Sequence, residues 1–226
     1  MEPTYAITRS ILVPWMRTWF RWNVEGADNI PRQGPALFAF NHIAFLDPLV
    51  AAYAIDGGGR HPRFLAKHDL WSDKRVAWLV KGTRQIPVTR GTASAADALR
   101  PAIDALRGGE AIVIFPEGTI TTDPTLNTMR AKSGVARLAL GADVPIIPCA
   151  LWGTANVWGR GTKANWRPRQ DICVRIGEPM AVEGDPGSRE DWTRIGDEVM
   201  RRVGVLLASI RTAVPDRRRP QRKAAA

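Results

Sequence analysis

The chain has 226 residues, 45% of them hydrophobic and 24% charged, which suits one folded α/β domain and argues against global disorder. Its formal net charge is +10, with nine Trp against two Tyr; excess cation draws a protein to nucleic acid or anionic lipid, and Trp favours the membrane–water interface, so together they lean toward lipid. No uninterrupted apolar stretch approaches the ~20 residues that span a bilayer, and two isolated cysteines, Cys149 and Cys173, make neither a disulfide framework nor a paired-thiolate motif and fit a reducing compartment.

The opening Met-Glu-Pro lacks the basic and apolar regions of a secretion signal. Residues 5–22 form the first predicted helix. Ile7, Ile11, Leu12, Trp15, Met16, Trp19 and Trp22 fall on one side of it and Ser10, Arg17 and Arg21 on the other, the pattern of an amphipathic helix lying in the plane of a membrane surface. Trp15, Trp19, Trp22, Arg17 and Arg21 are the candidate membrane-contacting residues, and Pro14 should kink the helix or split it into a pair. The alternative is a helix whose apolar side packs on its own domain.

From residue 35 the pattern turns to short apolar strands alternating with helices. Residues 36–40, 63–66, 85–89, 111–115, 145–151 and 171–176 read as strands, and 47–54, 74–80, 94–106, 133–140 and 188–212 as helices. Asp47-Pro48 has the form of an N-cap followed by proline at the first helical position, Gly108-Gly109 is a helix stop, and Ser188 ahead of Glu190 and Asp191 is a cap. This alternation predicts a single α/β domain with a mixed, mostly parallel sheet flanked by helices. The expected organisation is a membrane-association helix over 1–28, the main domain over 29–214 and a basic, disordered tail over 215–226.

In open α/β sheets, ligands gather beyond the carboxyl ends of the strands. Two predicted strands end there in polar residues, at Asn41-His42 and at Pro116-Glu117-Gly118-Thr119. Asp47 follows His42 by five residues, so a His in the turn and an Asp opening the next helix can meet. Such a pair can act as a base and its orienter: the carboxylate fixes the tautomer, and the other ring nitrogen is free to take a proton from a hydroxyl. A satisfied core histidine beside a plain helix cap is the competing reading. His42, His61 and His68 with the two cysteines show no metal-ligand spacing.

Asn41-His42 with Asp47 resembles the His-x4-Asp motif of the glycerolipid acyltransferases, the group containing bacterial lysophosphatidic acid acyltransferase. Three further stretches resemble that family in order: residues 82–90, ending in Arg90; residues 115–119; and the apolar residues 144–148. The resemblance covers about residues 30–178. It implies transfer of a fatty acyl group from acyl-CoA or acyl-carrier protein to the sn-2 hydroxyl of 1-acylglycerol-3-phosphate, giving phosphatidic acid, with His42 as general base, Asp47 as its orienter, no acyl-enzyme and no cofactor.

The same resemblance makes Arg90 the principal phosphate-binding candidate, with Glu117, Gly118 and Thr119 as the opposite wall; Glu117 is expected to orient Arg90 or the glycerol. Where many relatives follow Glu-Gly-Thr with Arg, this chain has Ile120. Arg130 and Lys132 are the downstream substitutes, and Lys67 resembles a recurring family lysine. That departure keeps a related acceptor open: glycerol-3-phosphate, another lysophospholipid or a glycolipid. The expected partners are the lysophospholipid, the thioester donor and an anionic membrane surface on its cytoplasmic face. A non-catalytic basic binding protein accounts for the charge alone, and nothing here resembles a nucleic-acid-binding motif.

Overall fold

The residues 36–40, Ala-Leu-Phe-Ala-Phe, are apolar without alternation, which is how a strand buried on both faces reads. A computed structural model, describing residues 3–74, 76–88 and 97–218 apart from the side chains of Lys67 and Asp97, makes this run β2 (Ala36–Phe40), fully buried at the centre of a seven-stranded sheet. The other strands are β1 (Phe20–Glu25), β3 (Pro62–Lys67), β4 (Ile86–Val88), β5 (Ala111–Ile114), β6 (Ile146–Trp152) and β7 (Gln170–Ile176), in the spatial order β1-β7-β6-β2-β5-β3-β4. Phe38 lies between Val113 and Ile147 in parallel register. Only the β6–β7 pairing is antiparallel among the described strands, so the sheet is mixed and mostly parallel, as expected.

Period-two alternation sends the two faces of β2 into two cores. Ala36, Phe38 and Phe40 pack with helices α1 (Pro3–Trp19) and α2 (Asp47–Gly57), and Leu37 and Ala39 with α4 (Arg100–Arg107), α5 (Gly134–Ala142) and α7 (Arg189–Arg211). Phe38 and Phe40 are wholly buried, each contributing roughly 1.5–3 kcal/mol by burial. Short helices α3 (Ala77–Gly82) and α6 (Thr154–Trp158) complete the set. The Ser188 cap is realised: its Oγ accepts from the Asp191 N–H at 3.2 Å.

The N-terminal helix is present, as expected, but shorter than its apolar pattern suggests. α1 runs unbroken through Pro14 and ends at Trp19, so neither a helix pair nor a helix reaching residue 22 is present. Phe20-Arg21-Trp22-Asn23-Val24-Glu25 alternates apolar and polar, which is a strand period, and it forms β1 beside β7. Trp22 fits both periods because it follows Trp19 by one helical turn. In the strand its ring stacks on Tyr53 at 3.9 Å and its Nε1 donates to the Met16 carbonyl, while Arg21 pairs with Asp171. Met16 is buried, and Trp15 and Trp19 are half-buried against the first core. Of the expected tail, residues 215–218 lie on the domain, with the Pro215 carbonyl accepting from Asn156 and Arg218 donating to the Pro124 carbonyl; residues 219–226 lie outside the described part.

Between β6 and α6 the chain turns through Gly153 at φ +94°, and a Cβ there would stand 2.2 Å from the Asp171 carbonyl oxygen. Gly153→Ala should therefore cost more than about 2 kcal/mol, since both the backbone region and the clash oppose it. Urea unfolding checks this; a change within 0.5 kcal/mol would show that the turn relaxes freely.

Candidate active site

All the strands that meet β2 directly are parallel to it, so the loops leaving β2 and β5 emerge side by side. At the end of β2 the Asn41 side chain, fully buried, accepts from the Leu151 N–H at 2.8 Å and donates to the Leu151 carbonyl at 3.1 Å. That amide prolongs the β2–β6 pairing by one rung and fixes where the next residue starts. His42 then donates its backbone N–H to Glu117 Oε1 at 2.9 Å, and its carbonyl accepts from the Thr121 N–H at 2.7 Å.

Asp47 closes the loop. It is the first residue of α2, after the N-cap position held by Leu46, so it does not cap the helix as its sequence context suggests. Its carboxylate turns back instead. Oδ2 accepts from the Ile43 and Ala44 N–H groups at 2.5 and 2.7 Å and lies 2.8 Å from His42 Nδ1; Oδ1 accepts from the Thr154 hydroxyl at 2.6 Å. A carboxylate can only accept, so Nδ1 carries the hydrogen and the lone pair is left on Nε2. The ring stacks on Phe115 at 4.4 Å, and the side chain keeps 16% exposure while Asp47 has none. An imidazole held this way can take a proton from a group arriving from solvent.

Glu117, 2% exposed, accepts from two backbone donors, His42 N and Met129 N at 3.1 Å. Each of its oxygens thus serves a loop. Burial pushes its pKa up to about 7 against the opposing effect of those two N–H groups. Gly118 takes φ +71°, and the end of the Lys132 side chain, its Nζ included, lies 2.9 Å from an ideal Cβ there. Thr119 beside it is exposed.

The other expected cations fare differently. Arg130 stands 3.9 Å from Asp197 of α7, both side chains largely exposed. Lys67 ends β3 on the same side of the sheet, but its side chain lies outside the described atoms, and Arg90 lies outside the described residues two positions after β4. Ile120 is buried, and its carbonyl accepts from Arg160 Nη1 at 3.2 Å.

Thr154 and Arg160 escape a reading by sequence. Thr154 follows β6 as His42 follows β2, so the strand-end rule already applied to two strands would have found it. Arg160 carries no such signal.

Beside the loop an apolar pocket of about 260 Å³ is lined by α1, α2, β3 and α3, with Leu12, Met16, Leu49, Ala52, Phe64 and Leu79 in its walls. Phe64 stacks on Phe115, the ring that carries His42. Asp56 at its edge accepts from Tyr5 Oη at 2.7 Å and Arg9 Nε at 2.6 Å, which ties α1 to α2.

The acyltransferase family model matches residues 21–152, which contain His42, Asp47 and Glu117 in the geometry above. The chain belongs to the acyltransferase family. Among curated relatives it is 34% identical over 135 residues to the 1-acyl-sn-glycerol-3-phosphate acyltransferase of Borreliella burgdorferi, covering 59% of this chain and 52% of that one. It is 27% identical over 147 residues to a chloroplastic 1-acyl-sn-glycerol-3-phosphate acyltransferase of Arabidopsis thaliana, covering 64% and 40%. The chain thus spans about half the length, or less, of these relatives. The crystal structure of the 1-acyl-sn-glycerophosphate acyltransferase PlsC from Thermotoga maritima superposes with a TM-score of 0.64 at 25% identity, over 88% of this chain and 76% of that one. Thr154 and Arg160 lie beyond the segment that the family model covers.

Two outcomes follow from this geometry. Thr154→Val, near in shape but without the hydroxyl, leaves a fully buried Asp47 oxygen with no donor and should lower stability by about 1.5–3 kcal/mol in urea unfolding; a loss below 0.5 kcal/mol would mean that the hydroxyl is dispensable. For Glu117, the folded pKa of about 7 exceeds the ordinary 4.5. Between those values the folded state holds a proton that the unfolded chain has released, so the wild type should lose about 2–4 kcal/mol of stability as pH rises from 4.5 to 7 and then level off. Measured relative to Glu117→Gln, which cannot titrate, an opposite slope would refute the assignment.

Proposed function

We propose that the protein transfers a fatty acyl group from a thioester donor, acyl-CoA or acyl-carrier protein, to the sn-2 hydroxyl of 1-acylglycerol-3-phosphate. The observation that carries this reading is the His42–Asp47 pair, its carboxylate held by two loop N–H groups and the Thr154 hydroxyl. Nε2 takes the proton of the acceptor hydroxyl as its oxygen forms a bond to the thioester carbonyl carbon. The C–S bond then breaks, and the departing sulfur receives that proton from the imidazolium, which Asp47 stabilises meanwhile. A thiolate leaves readily, so a base with good positioning suffices. Cys149 and Cys173 are both buried, and burial raises both thiol pKa values, which speaks against a cysteine acyl-enzyme. No resident cofactor enters this scheme.

The acceptor phosphate is assigned to the cations nearest the loop, Lys132 over Gly118 and Arg160 at Ile120, together with Arg90 and Lys67 from the family resemblance. Thr119 and the Gly118 backbone face the same acceptor in this reading. The names of the relatives favour lysophosphatidic acid; Ile120 in place of a family arginine favours keeping glycerol-3-phosphate, another lysophospholipid or a glycolipid as the second reading. The cavity beside Phe115 is the room for the donor's acyl chain. Among the described residues no helix is long and apolar enough to cross a membrane, and the enzyme is proposed to work peripherally, on the cytoplasmic face.

The test is acceptor-dependent release of free thiol from long-chain acyl-CoA. With lysophosphatidic acid present, wild type should release thiol, and His42→Ala should lower the rate by roughly 10²–10⁴, the scale of a lost general base. No release with a panel of donors and acceptors, from folded protein, would end the acyltransferase reading. Ala52→Phe narrows the cavity and should shift preference to shorter donors; an unchanged chain-length profile would move the acyl chain elsewhere.

A further inference from the structure

Three exposed aromatic side chains stand together beside the catalytic loop. Phe45, from within that loop, is 52% exposed, and Trp158 and Trp166, from the segment between β6 and β7, are 40% and 43% exposed. Their rings form a continuous row. Phe45 lies 5.0 Å from Trp158, Trp158 lies 6.2 Å from Trp166, and Trp166 lies 6.3 Å from Trp15 of α1, which stacks on Trp19. Leu49, also exposed, follows Phe45 by four residues and lines the apolar cavity.

The charge on this surface is of one sign. Residues 153–170 contain Arg160, Lys163, Arg167 and Arg169 and no Asp or Glu at all. On α7, by contrast, Arg194, Arg201 and Arg202 are neutralised by Asp191 and Glu198. No ion pair among the described residues uses Lys163, Arg167 or Arg169. Exposed indoles rimmed by unneutralised cations are what an anionic bilayer surface accepts: the rings enter the headgroup layer while the cations meet lipid phosphates.

We propose that this surface, Phe45, Trp158 and Trp166 with Lys163, Arg167 and Arg169, is the face that docks on anionic lipid bilayers. The choice of a bilayer as occupant rests on the acyl-transfer reading above. The segment is also sewn to the catalytic loop. The Phe45 N–H donates to the Trp158 carbonyl at 3.1 Å, Ala44 bridges Gly159, and Thr154, at the start of the same segment, holds Asp47. Docking therefore presents His42 and the cavity rim to the lipid phase together. The expected membrane contact thereby extends from the N-terminal residues to the loop that carries the histidine.

The experiment is co-sedimentation of the full chain with vesicles of phosphatidylcholine alone and of phosphatidylcholine with phosphatidylglycerol. Wild type should partition onto the anionic vesicles in preference to the neutral ones. Trp158→Ser with Trp166→Ser, and separately Lys163→Gln with Arg167→Gln, should each weaken partitioning at least tenfold while thermal melting stays unchanged. Trp78→Ser, which alters an indole 62% exposed on α3, should bind as wild type. The proposal falls if wild type ignores anionic vesicles, if both double variants bind normally, or if the loss follows Trp78→Ser. It falls also if the Lys163/Arg167 variant keeps vesicle binding but loses binding to an acidic acyl-carrier protein, which would make this a protein-docking face. The expected binding pattern from a chain that turns over no thioester would uphold the docking face and sink only the catalytic reading.

Discussion

The site depends on one buried carboxylate. Asp47 has no contact with solvent, and four donors from two segments converge on it: the His42 ring and two N–H groups of its own loop, and a hydroxyl 107 residues away. Burying such a group is costly unless every lone pair is met. Meeting them forces the loop after β2 into one shape and the imidazole into one tautomer. The interaction that makes burial tolerable is thus the same one that prepares His42.

A second buried carboxylate repeats the device across the adjacent strand end. Glu117 joins the backbone of His42 to that of Met129, so the β2 loop and the long segment after β5 are held at a fixed separation. Here the balance is finer, because two N–H donors do not fully offset the loss of water and the proton is held up to about pH 7. The residue conspicuous in the motif therefore acts on the shape of the site through the backbone, and the stacked rings Phe64, Phe115 and His42 link that site to the cavity wall.

The +10 charge is not spread evenly. On α7 three arginines are paired with acids, whereas the segment after β6 concentrates cations and indoles without acids. α1 turns one side to the domain and the other to solvent. Its inner side closes the cavity through Leu12, Val13 and Met16 and is latched by Asp56, while Ile7 and Ile11 point outward.

Much of the architecture was legible in the residues themselves. Unbroken apolar runs marked β2, β5 and β6, Ser188 marked the start of α7, and polar residues directly after two of those strands marked His42 and Glu117. These features are local, since burial on both faces and helix capping each act within a few residues. What tertiary structure alone decided involves partners distant in the chain. Trp22 satisfies a helical and a strand period equally, and only the place beside β7 settles which applies. The N-cap appearance of Asp47 is overridden because the loop it closes offers three donors. Thr154 becomes the fourth because β6 and β2 lie side by side, a strand order that no local pattern encodes.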